Sequence, residues 1–170
     1  CQADYTLTRP ESRLEPFFTA FAGKERRVRE LDPITGDPVD EDTPGSVFGG
    51  RCAPLVGGTL GLAIPIAEGG AQFFGQGGVA INLRDSGNTS LFADVGIDKI
   101  FEGGGFIGGG VGVWDFTHGD TVDGSIFVHG GTPINDRLQW NIEGRLFMSE
   151  LGEIENNYAI LAGIRYFWKR

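Results

Sequence analysis

The sequence predicts an all-β protein: a closed, antiparallel, up-and-down transmembrane β-barrel of eight strands. Three observations carry that expectation. Eight segments alternate apolar and polar residues with period two, the mark of strands with unlike faces. The connections between them alternate long and short, as in a meander whose two ends meet different compartments. The apolar faces of the third, fourth, seventh and eighth segments carry no charge through their middles. The opposite faces mix charge with rings and glycine, which suits a narrow lumen better than a water-facing surface.

Composition agrees. The chain has 29 glycines among 170 residues, set inside apolar runs such as GGTLGLAIPI and GGGFIGGGVGVW. Each would cost a helix roughly 1 kcal/mol relative to alanine. Thirteen Phe, three Trp and three Tyr favour strands. No uncharged run is long enough for a spanning helix of about 20 residues. A net charge of −9 argues against nucleic acid as a partner, since phosphate binding needs basic patches. The chain opens on Cys1 without Met, so a removed leader and a non-cytoplasmic destination are expected.

In chain order, residues 1–14 read as an irregular lead-in and 15–170 as one barrel domain. The predicted strands are Glu15–Val28, Gly50–Ile66, Ala71–Arg84 and Ser90–Ile100, then Gly104–Thr117, Thr121–Thr132, Arg137–Glu150 and Tyr158–Trp168. In the third, Phe73, Val79, Ile81 and Leu83 oppose Gln72, Gln76 and Asn82. In the fourth, Leu91, Ala93, Val95 and Ile97 oppose Phe92, Asp94, Gly96 and Asp98. The fifth is too rich in glycine to divide. In the sixth, Ile126 and Val128 face outward, and Ser125 and His129 inward. In the seventh, Leu138, Trp140, Ile142, Leu146 and Met148 oppose Arg137, Gln139, Asn141, Glu143, Arg145 and Phe147. The eighth sets Tyr158, Ile160, Ala162, Ile164, Tyr166 and Trp168 against Asn157, Leu161, Gly163, Arg165 and Phe167.

The last segment, Leu161-Ala-Gly-Ile-Arg-Tyr-Phe-Trp168, resembles the C-terminal assembly signal of bacterial outer-membrane proteins. Gly163, Tyr166 and Trp168 match that pattern; Lys169 and Arg170 depart from it, because an aromatic usually stands last. Over residues 15–168 the chain is similar, in pattern rather than identity, to the small eight-stranded outer-membrane barrels of the OmpA transmembrane-domain type. The resemblance implies a bacterial outer-membrane location, a plugged barrel, no cofactor and no enzymatic activity. It implies outer-membrane lipids, lipopolysaccharide and the barrel-assembly machinery as partners, with the surface partner of the loops left open. Trp140, Tyr158, Tyr166 and Trp168 are then the expected interface aromatics.

The lumen is expected to hold a charge network of Asp94, Asp98, Arg137, Glu143, Arg145 and Arg165. Arg165 should find its carboxylate in Glu143, Asp94 or Asp98. A structural role outweighs a gate or ion path, because buried charges need partners whether or not anything passes. His129 and Ser125 form a pair that invites comparison with outer-membrane lipid A deacylases, but an inward His129 cannot reach lipid, so a lumen histidine is expected. His118 beside Asp120 is too sparse for a metal site. The loop 29–46 carries Asp32, Asp37, Asp40, Glu41 and Asp42 without calcium-loop spacing, and reads as a solvated acidic loop. For Cys1 and Cys52 three readings stand side by side: a disulfide, acylation of Cys1 as in lipoproteins, or a free thiol at an arbitrary chain start. Four functions follow: a non-enzymatic envelope protein, a narrow channel, a lipid-modifying barrel, or a soluble lipocalin-like binder of an apolar ligand.

Overall fold

The computed structural model describes residues 14–26, 52–67, 70–83, 89–115, 122–148 and 157–168. They form eight strands: β1 (Glu15–Arg26), β2 (Ala53–Ala67), β3 (Ala71–Asn82), β4 (Thr89–Ile100), β5 (Phe106–Trp114), β6 (Asp123–Pro133), β7 (Leu138–Met148) and β8 (Tyr158–Phe167). Each pairs antiparallel with its sequence neighbour, and β8 pairs with β1 to close the barrel. Closure leaves no strand edge with unpaired amides, the condition for a sheet to cross a bilayer. No helix among the described residues is long and apolar enough to cross a membrane.

Three short turns lie at one end. At β2–β3 the register shifts between Pro65 and Ala67, and Gly70 takes φ 77°, which a side chain would resist. At β4–β5 the Gly104 amide donates to the Phe101 carbonyl at 2.9 Å. At β6–β7 the Asn135 side-chain oxygen accepts from the amides of Arg137 and Leu138, both at 2.9 Å. That Asx turn delays β7 by one residue and leaves Arg137 exposed on the rim. Arg137 is therefore not part of the lumen network expected from the sequence. The connections 27–52, 83–88, 115–122 and 149–157 leave the other end.

Alternation sorts the two faces as the sequence suggests. Val128 (67% exposed), Leu60 (62%) and Ile160 (54%) stand on the outer wall among other apolar side chains. Phe17, Phe74, Phe92, Phe127, Phe147 and Phe167 are buried inside, together with Asp94, Asp98, Glu143, Arg145 and Arg165. A water-soluble barrel would show the opposite arrangement.

In β5 the faces resolve as well. Ile107, Val111 and Val113 are exposed, while Phe106 and Trp114 are buried inward with Gly108, Gly110 and Gly112 between them. A β-carbon at Gly108 would strike Asp98 Oδ1, and one at Gly112 would strike Asp94 Oδ1. One at Gly110 would sit 2.8 Å from the Phe127 ring. These glycines leave the space into which the acids and the ring project from neighbouring strands.

Candidate functional site

The lumen is filled by two clusters, stacked along the barrel axis. The first is organised by Arg145 on β7. Its Nη1 and Nη2 donate to the two oxygens of Asp94 on β4, each at 2.7 Å, a bidentate pair. Its Nε donates to Glu143 Oε1 at 2.9 Å, and Nη1 also donates to Ser125 Oγ at 3.0 Å. Asp94 accepts in addition from Gln76 Nε2 at 3.0 Å, and Gln76 Oε1 accepts from Thr59 Oγ1 at 3.3 Å. Hydrogen bonds thus run across the lumen from β2 to β7. The guanidinium lies between Trp114 and Phe127, 4.8 and 4.7 Å from their ring centroids. Trp114 in turn stacks on Phe92 with centroids 4.3 Å apart and planes 9° from parallel.

The second cluster, nearer the short turns, is centred on Asp98. Its Oδ1 lies 2.6 Å from His129 Nε2, and its Oδ2 accepts from Gln72 Nε2 at 3.0 Å. An ionised Asp98 only accepts, so Nε2 carries the proton in that pair. Arg165 Nη1 stands 3.7 Å from Asp98 Oδ2, with the guanidinium 4.6 Å from the Phe17 centroid and 5.1 Å from that of Phe106. His129 is packed among Phe74, Phe106 and Phe127 at centroid separations of 5.1–5.5 Å.

The structure thus brings five of the six expected network members into the lumen and separates them into two groups. Of the three acids open to Arg165, it lies with Asp98. Glu143 and Asp94 belong to Arg145, which reaches Glu143 from two residues along the same strand face. His129 faces the lumen and is cut off from the outer wall. Trp114 and Phe92 complete the first cluster. The glycine-rich run around Trp114 hides its face in the sequence, although its even spacing from Gly108, Gly110 and Gly112 places it on theirs. Glu25 is also buried; its Oε1 accepts from Asn82 Nδ2 at 2.9 Å near the long-connection end.

Of the interface aromatics, Trp140, Tyr166 and Trp168 stand outward near the short-turn end, with Tyr166 and Trp168 edge to face at 5.9 Å. Trp140 Nε1 donates to Thr132 Oγ1 at 2.5 Å. Tyr158 opens β8 at the opposite end, and its hydroxyl is 3.8 Å from the free thiol of Cys52. Cys1, His118, Asp120 and the acidic loop 29–46 lie outside the described residues. Among the described residues no group of three or more His, Cys, Asp and Glu is arranged to hold a metal ion.

Between the clusters remains a cavity of about 20 Å³, bordered by Thr19, Gln76, Asn141, Glu143, Arg145 and Arg165. A water needs roughly 10–15 Å³ on this measure, so the cavity has room for about one.

A closed sheet that turns its acids and two arginines inward and presents a wall of apolar side chains outward defines a transmembrane β-barrel, here of eight strands with a packed interior. No protein-family model and no curated protein matches the chain. Among solved structures, the crystal structure of Neisserial surface protein A is similar to it, at 10% identity and a TM-score of 0.46, covering 89% of this chain and 96% of that one.

Proposed function

We propose that this chain is a non-enzymatic protein of the bacterial outer membrane, in which the barrel serves as an anchor and the long connections at one end meet a surface partner or help organise the envelope. The observation that carries the reading is the interior. Arg145 is held against Asp94 and Glu143, Arg165 stands by Asp98, both lie over rings, and the cavity between them admits about one water. A continuous ion path would need a file of such spaces. Catalysis on lipid would need His129 or another general base at the outer wall, and His129 is enclosed by three rings. The outward apolar wall supports residence in a membrane, and the assembly-signal pattern at Gly163, Tyr166 and Trp168 supports the outer one.

The test has two parts. The native protein should co-fractionate with outer membranes, require detergent for extraction and migrate differently on a gel when unheated. Reconstituted into planar bilayers, it should give no stepwise conductance. Extraction without detergent would overturn the membrane reading; reproducible single-channel steps would replace the anchor with a channel.

A further inference from the structure

The described strands carry eleven acidic or basic side chains, and Arg145 and Arg165 are the basic ones among them that face the lumen. All six acids lie on the lumen face: Glu15, Glu25, Asp94, Asp98, Asp123 and Glu143. The three charged residues on the outer face, Lys24, Arg26 and Lys99, are all basic and all stand near strand ends. In a chain of net charge −9 that selection points to an anionic environment at the rims of the wall.

Lys99 stands on the outer face at the short-turn rim. Lys24 and Arg26 are two residues apart on β1 at the other rim, so they project from one face about 7 Å apart. Arg26 is level with Tyr158 on β8 and lies beside its hydroxyl. Toward the bilayer from this pair the wall becomes shallow. Ala22 is level with Ala162, and Ala20 follows, before the Phe18 ring, which lies against Gly58, closes the depression. Ile160 and Ile164 on β8 form its bank.

We propose that Lys24 and Arg26 bind the phosphate of a membrane lipid in the leaflet on the long-connection side, with one acyl chain lying in the trough over Ala22, Ala20 and Ala162. Charge complementarity selects the headgroup, and the missing side-chain bulk directly below it receives the chain. Tyr158 supplies an amphipathic ring at the headgroup level. The site rests on the membrane-barrel reading and adds a ligand class to it.

The full chain, folded in detergent micelles containing equal amounts of phosphatidic acid and phosphatidylcholine, would be measured by native mass spectrometry. Each basic residue near an anionic partner contributes about fivefold in affinity. The one-lipid adduct should therefore favour phosphatidic acid by at least about fivefold. Lys24→Gln with Arg26→Gln should bring the two lipids to parity, and Lys24→Gln alone should move partway. Lys99→Gln should leave the preference intact. Ala22→Leu should weaken both adducts while keeping their ratio, because it fills the trough and spares the charge. Parity in the unaltered protein, or a preference that survives the double substitution or falls equally with Lys99→Gln, would overturn the proposal. Displacement of the adduct by millimolar inorganic phosphate would overturn the trough and leave a free-anion site. An unheated band that does not shift in the unaltered protein would instead remove the barrel reading beneath it.

Discussion

Replacing Arg145 with Met should destabilise the barrel more than any other single change in the lumen. Arg145 is 1% exposed, Asp94 3% and Glu143 6%, so solvent screens these charges little. Methionine keeps much of the packing between Trp114 and Phe127 but removes every donor. Asp94 loses its two 2.7 Å partners at once, and Glu143 loses its 2.9 Å partner. Removing one member of a buried pair costs about 3–5 kcal/mol, chiefly through the charge left behind. With two carboxylates left facing each other, the upper part of that range, about 5 kcal/mol, is expected. Adding Asp94→Asn and Glu143→Gln removes both stranded charges while keeping side-chain shape, and should recover at least about half of the loss, since a buried ion pair is often no better than a neutral replacement. Urea unfolding of the protein in phospholipid vesicles, followed by tryptophan fluorescence and by the unheated gel band, gives the free energies. The loss should change little between low and high salt, unlike that of an exposed pair. A loss below about 1 kcal/mol for the single variant, the level of an exposed pair, would show that the lumen is wet enough to solvate the acids. A triple variant no more stable than the single one would show that Arg145 acts through packing.

The glycines should respond according to face. Gly108→Ala and Gly112→Ala drive a methyl into Asp98 and Asp94 and should each cost about 1–3 kcal/mol, whereas Gly75→Ala and Gly77→Ala, with nearest atoms 3.8–3.9 Å away on the outer side, should be neutral or stabilising by about 0.5–1 kcal/mol in the same unfolding assay. Ile142→Arg places a cation on the outer wall in the middle of β7, where Ile142 is 49% exposed, and should cost about 2–4 kcal/mol near the midplane; free tolerance measured by folding yield in vesicles would argue against a lipid-facing wall. Removing Tyr166 and Trp168 together should slow assembly in cells more than it lowers the stability of the folded protein in detergent, and equal losses in pulse-labelled assembly and in unfolding would reduce them to interface residues.

The fold was legible because lipid and lumen write a period-two pattern that few other environments require. Ile126 and Val128 against Ser125 and His129, or Ile142 against Asn141 and Glu143, declare their faces without help from neighbouring strands. In β5 the same rule operates, yet the inward positions are glycines whose purpose lies in Asp98, Asp94 and Phe127 on other strands. Periodicity in one segment cannot show a space reserved for another. Arg137 misled because alternation continues through it, whereas the chain is turned there by Asn135, a local hydrogen-bonding choice. The pairing of Arg145 with Asp94 joins residues 51 apart in sequence, and only the barrel's closure and stagger bring them together. The same holds for Arg165, whose acid could be narrowed to three and not to one.

The charged interior also bears on how the barrel finds its register. With an apolar lumen, the two faces of each strand would be chemically alike, and a slip by one residue would exchange them at little cost. Here the same slip in β7 or β8 would carry Arg145 or Arg165 toward lipid, at about 2–4 kcal/mol for each near the midplane, and would move Glu143 out with Arg145. The network's contribution to stability and its contribution to register can therefore be separated by experiment. We predict that the triple variant Asp94→Asn, Glu143→Gln and Arg145→Met unfolds within about 2 kcal/mol of the unaltered protein, half or less of the single-variant loss, and yet folds with lower yield when diluted from urea into vesicles. The missing fraction should migrate as unfolded protein on the unheated gel, with mispaired strands that are open to protease. A folding yield equal to that of the unaltered protein would assign the ion pairs to stability alone and leave register to the turns and the aromatic rims.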